Sequence, residues 1–311
     1  MKPYNSSIFR IETALVKASC TILFLFALLI LPVIGATDEL MSGIEKRGTI
    51  RIGFQEDVTP FSSYDEMTGI YQGFSVDMAE QLVVYLSKRF GKTIKLVPVS
   101  LKAGERVARI LDGTIDIEMG ASTKNYKREA SVDFSFVYFA SETTFLVRED
   151  SGINAIQDLN AKKIAVGKGT TNEQILGGLV QSRRLTPNEI LSFDTHNLAL
   201  WAMVKGNADA YCADRVLLTT KRLQTKTPEK WIILEDSIGY EPYAFMMPEH
   251  NSDFRDFVND TIRWTILTGE YFDIYEKWMG PLGVGPFKIP LSFKEYLNVI
   301  SYPIADDWWA Q

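Results

Sequence analysis

From Thr49 the chain alternates apolar and polar residues, Thr49-Ile50-Arg51-Ile52-Gly53-Phe54, the period of two that marks a strand with one face turned inward. The period then lengthens. Val76, Ala79, Leu82, Val83, Leu86 and Phe90 fall on one face of a helix. Lys95 to Val99 reads as the next strand, Gly104 to Leu111 as a helix stopped by Asp112-Gly113, and Ile115 to Met119 as a third strand. This β-α-β-α-β order belongs to parallel crossover units. The same rhythm restarts at Lys163. A strand to Val166 is followed by a turn over Gly167–Thr171, a helix from Asn172 to Leu179 and a strand from Ile190 to Phe193. A helix from Asn197 to Lys205, a strand from Ala208 to Ala213 and a helix from Asp214 complete it. Two runs of one pattern predict two α/β lobes. Thr143–Val147 and Tyr243–Met247 read as extended crossings between them, so the chain leaves the first lobe and later returns. Phe254 to Met279 is helical in pattern, and its aromatics are expected in the core.

The first residues follow another logic. Lys2, Arg10 and Lys17 precede the apolar run Ile22–Leu31, and the small pair Gly35-Ala36 follows Pro32, the layout of an export signal cleaved after Ala36. The run is shorter than the roughly 20 residues a spanning helix needs. Cys20 lies before it, where a lipid-modified terminal cysteine would not. The expected organisation is a leader over 1–36, a first lobe over 37–142, a second lobe over 143–242 and a return to the first lobe over 243–311. Asp306-Asp307-Trp308-Trp309 near the end is assigned no role.

Composition narrows the chemistry. The chain has net charge −6; Lys2, Arg10 and Lys17 against Glu12 place +2 on the leader and leave −8 on the rest. An acidic chain without a basic cluster excludes a nucleic-acid partner. Beyond the leader only Cys212 remains, so no internal disulfide is expected, and two histidines (His196, His250) give no metal-ligand spacing. No metal or cofactor is expected.

Candidate chemistry gathers after the third strand. Gly120 breaks it, Ser122 and Thr123 bring hydroxyls to the start of a short helix, and hydroxyls with free backbone N–H groups make an anion site. Arg128, about one and a half turns beyond Thr123, can fold back over that site and offer a carboxylate two parallel hydrogen bonds. An N-capped surface helix with a solvated arginine fits these residues equally well.

Several motifs in order resemble the family 3 extracellular solute-binding proteins of bacterial amino-acid ABC transporters. They are Gly73-Phe74-x-x-Asp77, Leu111-Asp112-Gly113-Thr114-Ile115-Asp116, Thr123-x4-Arg128, Val132-Asp133-Phe134-Ser135, Gly169-Thr170-Thr171 and Gly206-x-Ala208-Asp209-Ala210-x3-Asp214. Each alone is weak, and the ordered set is specific. Ser75, Pro228-Glu229-Lys230-Trp231 and Thr268-Gly269-Glu270-x7-Trp278 look like the glutamate/aspartate-binding branch. The resemblance implies a type II periplasmic binding protein fold, two lobes joined by two hinge crossings around a cleft. It implies a monomer in the periplasm that binds an amino acid and delivers it to a membrane permease. By position it gives the ligand α-carboxylate to Arg128 and Thr123, with Ala121 offering backbone groups and Thr170 and Thr171 closing from the second lobe. Asp214 receives the α-ammonium; Arg106 and His196 match residues that read an acidic side chain. Without the resemblance Asp214 reads as a helix cap, Arg106 as a solvated helix charge and His196 as a surface cap.

Two departures bear on the ligand. Ala121 replaces a common hydroxyl, and Gln55 stands where the acidic branch carries an arginine. The implied ligand is thus a polar amino acid, an acidic one favoured. A rival on the same fold is the cyclohexadienyl dehydratase, which this chain resembles at Gly169-Thr170-Thr171-Asn172-Glu173. There Glu173 is a candidate general acid, or else a first-turn helix residue facing the helix dipole.

Overall fold

The computed structural model describes residues 39–301. The leader and the Asp306–Trp309 stretch lie outside the described residues. Helix α1 (Glu39–Arg47) leads into β1 (Thr49–Gln55), and a small antiparallel sheet follows, β2 (Asp57–Val58), β3 (Ser62–Asp65) and β4 (Ile70–Gln72). Helix α2 (Phe74–Phe90), β5 (Lys95–Leu101), α3 (Arg106–Leu111), β6 (Ile117–Glu118), α4 (Tyr126–Glu129) and β7 (Asp133–Phe134) complete the outward pass through the first lobe. Strand β8 (Phe139–Arg148) opens the second. There follow β9 (Lys163–Gly167), α5 (Thr171–Gln181), β10 (Glu189–Phe193), α6 (His196–Val204), β11 (Ala210–Asp214), α7 (Arg215–Leu223) and β12 (Trp231–Ile233). The return runs through β13 (Gly239–Tyr243) and β14 (Met246–Met247) to helices α8 (Ser252–Thr268), α9 (Glu270–Met279) and α10 (Leu291–Ile300).

The predicted crossover units are present in both lobes. In the first, β1 pairs in parallel with β5 and β6, within the order β5-β1-β6-β14-β7. In the second, β9 pairs in parallel with β10 and β11, while β8 runs antiparallel to β11, β12 and β13. The first crossing strand starts at Phe139, ahead of the stretch expected at Thr143, and the return pairs with β8 from Gly239 before reaching the first sheet at Met246. The helical stretch expected from Phe254 to Met279 is two helices. Gly269, at φ 88, caps one and starts the next, a conformation a side chain disfavours.

Several motif residues have structural work. Asp77 accepts hydrogen bonds from Lys277 Nζ and Trp278 Nε1, both at 2.7 Å, tying α2 to α9. Buried Asp116 takes Arg47 at 2.9 Å and Arg51 at 2.6 Å. Asp209 accepts from the Lys163 backbone N–H at 2.8 Å, pinning β9 beside β11. Under the crossings lies an aromatic cluster. Tyr138 stacks on Phe245 with centroids 4.2 Å apart, and Phe61 meets Phe139 and Tyr243 edge-on. Cys212 is fully buried, as its apolar neighbours require.

The two lobes touch across the cleft. Asn197 N–H donates to Asp57 at 3.0 Å, and the Thr220 hydroxyl donates to the Thr59 carbonyl at 2.7 Å. Gly169, at φ 74, packs so tightly on Gly104 that a Cβ there would stand 2.6 Å from Gly104 Cα. Gly169→Ala should therefore hold the lobes apart, raising the radius of gyration in X-ray scattering, besides costing about 1–2 kcal/mol for the left-handed backbone. Gly104→Ala, whose Cβ would sit 3.9 Å from Gly169 Cα, should scatter like wild type. Identical curves for all three proteins would show that this contact does not limit closure.

Candidate functional site

Parallel strands deliver their C-terminal ends to one place, where open α/β sheets bind ligands. Gln55 ends β1, Ala121–Thr123 follow β6, Thr170 and Thr171 follow β9, and Asp214 ends β11. One small enclosed cavity is lined by Gln55, Arg106, Ala121, Thr123, Thr170, Thr171, Asn172, His196, Asp214 and Leu217. Of the residues the resemblance places on the ligand, only Arg128 is set back from the wall. Its Nη1 donates to the Thr123 carbonyl at 2.7 Å, while Asn125, not Thr123, caps the helix it sits on. The cavity holds about 10 Å³, barely one water and far less than an amino acid, so a ligand enters only as the lobes part.

Each wall carries charge the protein leaves incompletely paired. Arg106 is 4% exposed rather than solvated. Its Nε donates to Ala103 O at 2.8 Å, and its Nη1 to Ser122 Oγ at 2.5 Å and, at 3.4 Å, to Gln55 Oε1 and Ala121 O. All four are neutral acceptors. Burial and the neighbouring Arg106 charge bring the Arg128 guanidinium down to about 9, so it remains a cation at neutral pH.

On the opposite wall Asp214 occupies the cap position of α7, yet its side chain caps nothing. It turns inward, where Asn172 Nδ2 donates to Oδ1 at 2.5 Å and the Tyr243 hydroxyl donates to Oδ2. Burial, reinforced by the nearby Glu241 charge, pushes this carboxyl up to about 8 against the pull of those two donors. His196 is buried too: Thr195 caps its helix, and its Nδ1 lies 2.6 Å from the Tyr211 hydroxyl. Burial drives the imidazole down to about 4, so it is neutral near pH 7.

Two carboxylates escaped the sequence reading. Glu241, on β13, is fully buried; Thr143 donates to its Oε1 at 2.6 Å, and Thr171 at 2.8 Å and Thr123 donate to its Oε2. Glu118, on β6, is fully buried and neither oxygen has a hydrogen-bond partner. Burial raises its pKa, opposed first by Arg106, then by the Ser122 hydroxyl and then by Arg128. An alternation of inward positions 239, 241 and 243 would have placed Glu241 beside Tyr243, had the crossing been read two turns of pleat earlier.

Glu173 is spoken for elsewhere. It lies in the first turn of α5, its carboxylate accepts the Gly169 N–H at 2.8 Å and the Ser192 hydroxyl at 2.5 Å, and it does not line the cavity. Thr170 caps the same helix through the Glu173 N–H at 3.2 Å and donates to Gly167 O at 2.7 Å. Among the described residues no cluster of His, Cys, Asp and Glu is arranged to hold a metal ion, and no helix is long and apolar enough to cross a membrane.

Comparison with known proteins agrees with this geometry. The family model described as bacterial extracellular solute-binding proteins, family 3, matches residues 50–281. An L-glutamate/L-aspartate-binding protein of Pseudomonas aeruginosa is 30% identical over 89% of this chain and 93% of its own length. A glutamate/aspartate import solute-binding protein of Salmonella typhimurium is 29% identical over 89% and 87%. Other relatives are binding proteins for glutamine and for L-cystine. Among solved structures, an ancestral amino-acid-binding protein described as a precursor of cyclohexadienyl dehydratase superposes with a TM-score of 0.67 at 28% identity, over 76% of this chain and 98% of that one. The two lobes and their crossings are thus those of the type II periplasmic binding protein fold.

The raised Asp214 carboxyl makes folding pH-dependent. Between 3.8 and about 8 it holds a proton in the folded chain that the unfolded chain has lost, so stability falls as pH rises through that window. Urea midpoints of the ligand-free protein should decline from about pH 5 to 8. Asp214→Asn should flatten the decline by up to ~1.4 kcal/mol per pH unit. Equal slopes in both proteins would place the proton on another group.

Proposed function

From a chain that belongs to the bacterial extracellular solute-binding proteins, family 3, and from the charges around its cleft, we propose that this protein is the periplasmic binding component of an ABC transporter for an acidic amino acid, glutamate or aspartate. One observation carries the ligand class: Arg106 lines the closed cavity with Asp214, and Arg128 stands behind that wall on the Thr123 carbonyl. Two guanidinium groups against a carboxyl that an ammonium would ionise suit a molecule with two carboxylates and one ammonium. Binding is the whole of its chemistry, and no cofactor takes part.

In this reading Arg128 and the N-terminus of α5 take the α-carboxylate, because the first N–H groups of a helix have no partner within it. Asp214 takes the α-ammonium. Arg106, with Gln55 and His196 beside it, meets the side-chain carboxylate. Gln55 already lends its oxygen to Arg106, so it orients that guanidinium where a second arginine would have added charge. The ligand bridges both lobes, which favours the closed state, and that state is presented to the membrane permease. Export by the leader is part of the same reading, and the glutamate/aspartate-binding relatives support it.

Competition isotherms for glutamate, aspartate, glutamine and asparagine test the ligand. Arg106→Gln should weaken the two acids by roughly 2–5 kcal/mol, the scale for leaving a buried charge unpaired, and the amides by much less. Equal losses would make Arg106 a wall residue that does not read the side chain. A second expectation concerns protons. An ammonium beside Asp214 favours its ionised form, so binding at pH 7 should release close to one proton, and at pH 9, where the group is already ionised, almost none. Calorimetry in buffers of unlike ionisation enthalpy should then give diverging heats at pH 7 and converging heats at pH 9. Heats that agree at pH 7 would remove the ammonium from Asp214.

A further inference from the structure

We infer that Glu241 is a positioning residue for amine recognition: it takes the hydroxyl protons of Thr123 and Thr171 and so turns that pair into acceptors for the ligand's ammonium. The inference rests on the amino-acid-binding reading and deepens it. A threonine hydroxyl has one proton to give and lone pairs to receive with. Thr123 and Thr171 stand on opposite lobes with their oxygens 3.2 Å apart, and both donate to Glu241 Oε2. Either could instead donate to the other, but a carboxylate accepts only, and hydrogen bonds to it are roughly twice as strong as those between neutral groups. With both protons held by Glu241, the surface these two residues turn to the cavity consists of lone pairs.

The neighbouring groups enforce the same direction. Thr143 gives its proton to Glu241 Oε1 at 2.6 Å and receives one from Asn172 Nδ2 at 2.9 Å. That amide also donates to Asp214 Oδ1. Donors therefore run from Asn172 toward the two carboxylates, and no hydroxyl of this network is left to donate into the cavity. Thr170, which shares the wall, spends its proton on Gly167 O. A primary ammonium brings three N–H donors. Asp214, Thr123 and Thr171 offer it three acceptors around one cavity. A carboxylate brought to the same hydroxyls would find lone pairs facing lone pairs.

This moves the two threonine hydroxyls from the carboxylate half of the site to the ammonium half and leaves the carboxylates to the arginines and backbone N–H groups. It also makes the amine a requirement: a dicarboxylate without one would bring no donor to the lone pairs of Thr123 and Thr171 and nothing to draw the proton from Asp214. The experiment compares L-glutamate with glutarate, which differs by the amine alone, in calorimetry on wild type, Glu241→Gln and Thr171→Val. Wild type should prefer glutamate by a hundredfold or more. Glu241→Gln frees a hydroxyl proton, so glutamate should weaken tenfold or more while glutarate is unchanged or tighter. Thr171→Val, which keeps Glu241 and removes one acceptor, should likewise weaken glutamate and spare glutarate. Equal weakening of both ligands in either variant would reduce Glu241 to a hinge support and overturn the inference. Equal tightening would show that Glu241 competes with a ligand carboxylate for the threonines, which overturns it as well. Should wild type take glutamine in place of glutamate, the acidic-ligand reading fails on its own. The same comparison then runs with glutamine against glutaramate, and the amine requirement stands or falls separately.

Discussion

Burying a charge without a partner is the constraint around which this protein is arranged. Moving an ion from water into a protein interior costs several kcal/mol unless another charge and good hydrogen bonds offset it. Arg106 meets four neutral oxygens, Asp214 a phenol and an amide, and Glu118 no hydrogen-bond partner at all. Each lobe could solvate its own charges if it stood open to water. The closed arrangement removes that water and leaves guanidinium charge on one wall and, on the other, a carboxyl held protonated by burial, a condition that a ligand bearing both charges would relieve. Closure and ligand charge are in that sense one thermodynamic event, since a molecule that pairs both walls favours the state in which both are near it.

The fold puts those charges in place by a simple rule. Parallel strands in a crossover sheet end on the same edge, so residues far apart in sequence converge at the strand ends. That is why periodicity alone took the reading so far. The alternation after Thr49 and after Lys163 located the strands, residues at the strand ends fell at the cleft, and several of those in the ordered motifs line one cavity. Asp214 shows the limit of the local view. At the junction of β11 and α7 its position is that of a cap, and only the fold's bringing Asn172 and Tyr243 onto it turns the side chain inward.

What the sequence hid has definite physical causes. Glu118 lies between Ile117 and Met119, where a charge alternating with apolar residues reads as the solvent side of a strand. Strand β6, however, lies inside the sheet between β1 and β14, and the carboxylate is fully buried. Glu241 lies in Gly239-Tyr240-Glu241-Pro242-Tyr243, and proline breaks the look of a strand. Yet β13 pairs along its length with β8, and at Pro242 the other side is met by the Lys124 N–H donating to its carbonyl at 2.8 Å, so no ladder proton is needed from the proline. The hairpins between Asp57 and Gln72 were missed because strands of two to four residues are too short to show a period. The hydrogen bond from Arg128 to the Thr123 carbonyl depends on the tertiary path of a four-residue helix, which no spacing rule encodes.

A strongly shifted carboxyl in a cleft is a mark shared by catalytic acids and by binding sites waiting for a cation. The two are separated by what the substrate does to the shift. A general acid must keep its proton with the substrate bound, so its surroundings hold the pKa up throughout the encounter. Asp214 is raised by burial and by Glu241, and both effects are opposed directly by an ammonium placed in the same cavity. Its proton is that of the unliganded site, and an ammonium beside it would favour its release. Glu173, the other candidate acid, is fastened to Gly169 and Ser192 outside the cavity and closes the start of its own helix. An ammonium in the cavity would draw the proton from one carboxyl, and the other faces the start of its own helix rather than the cavity.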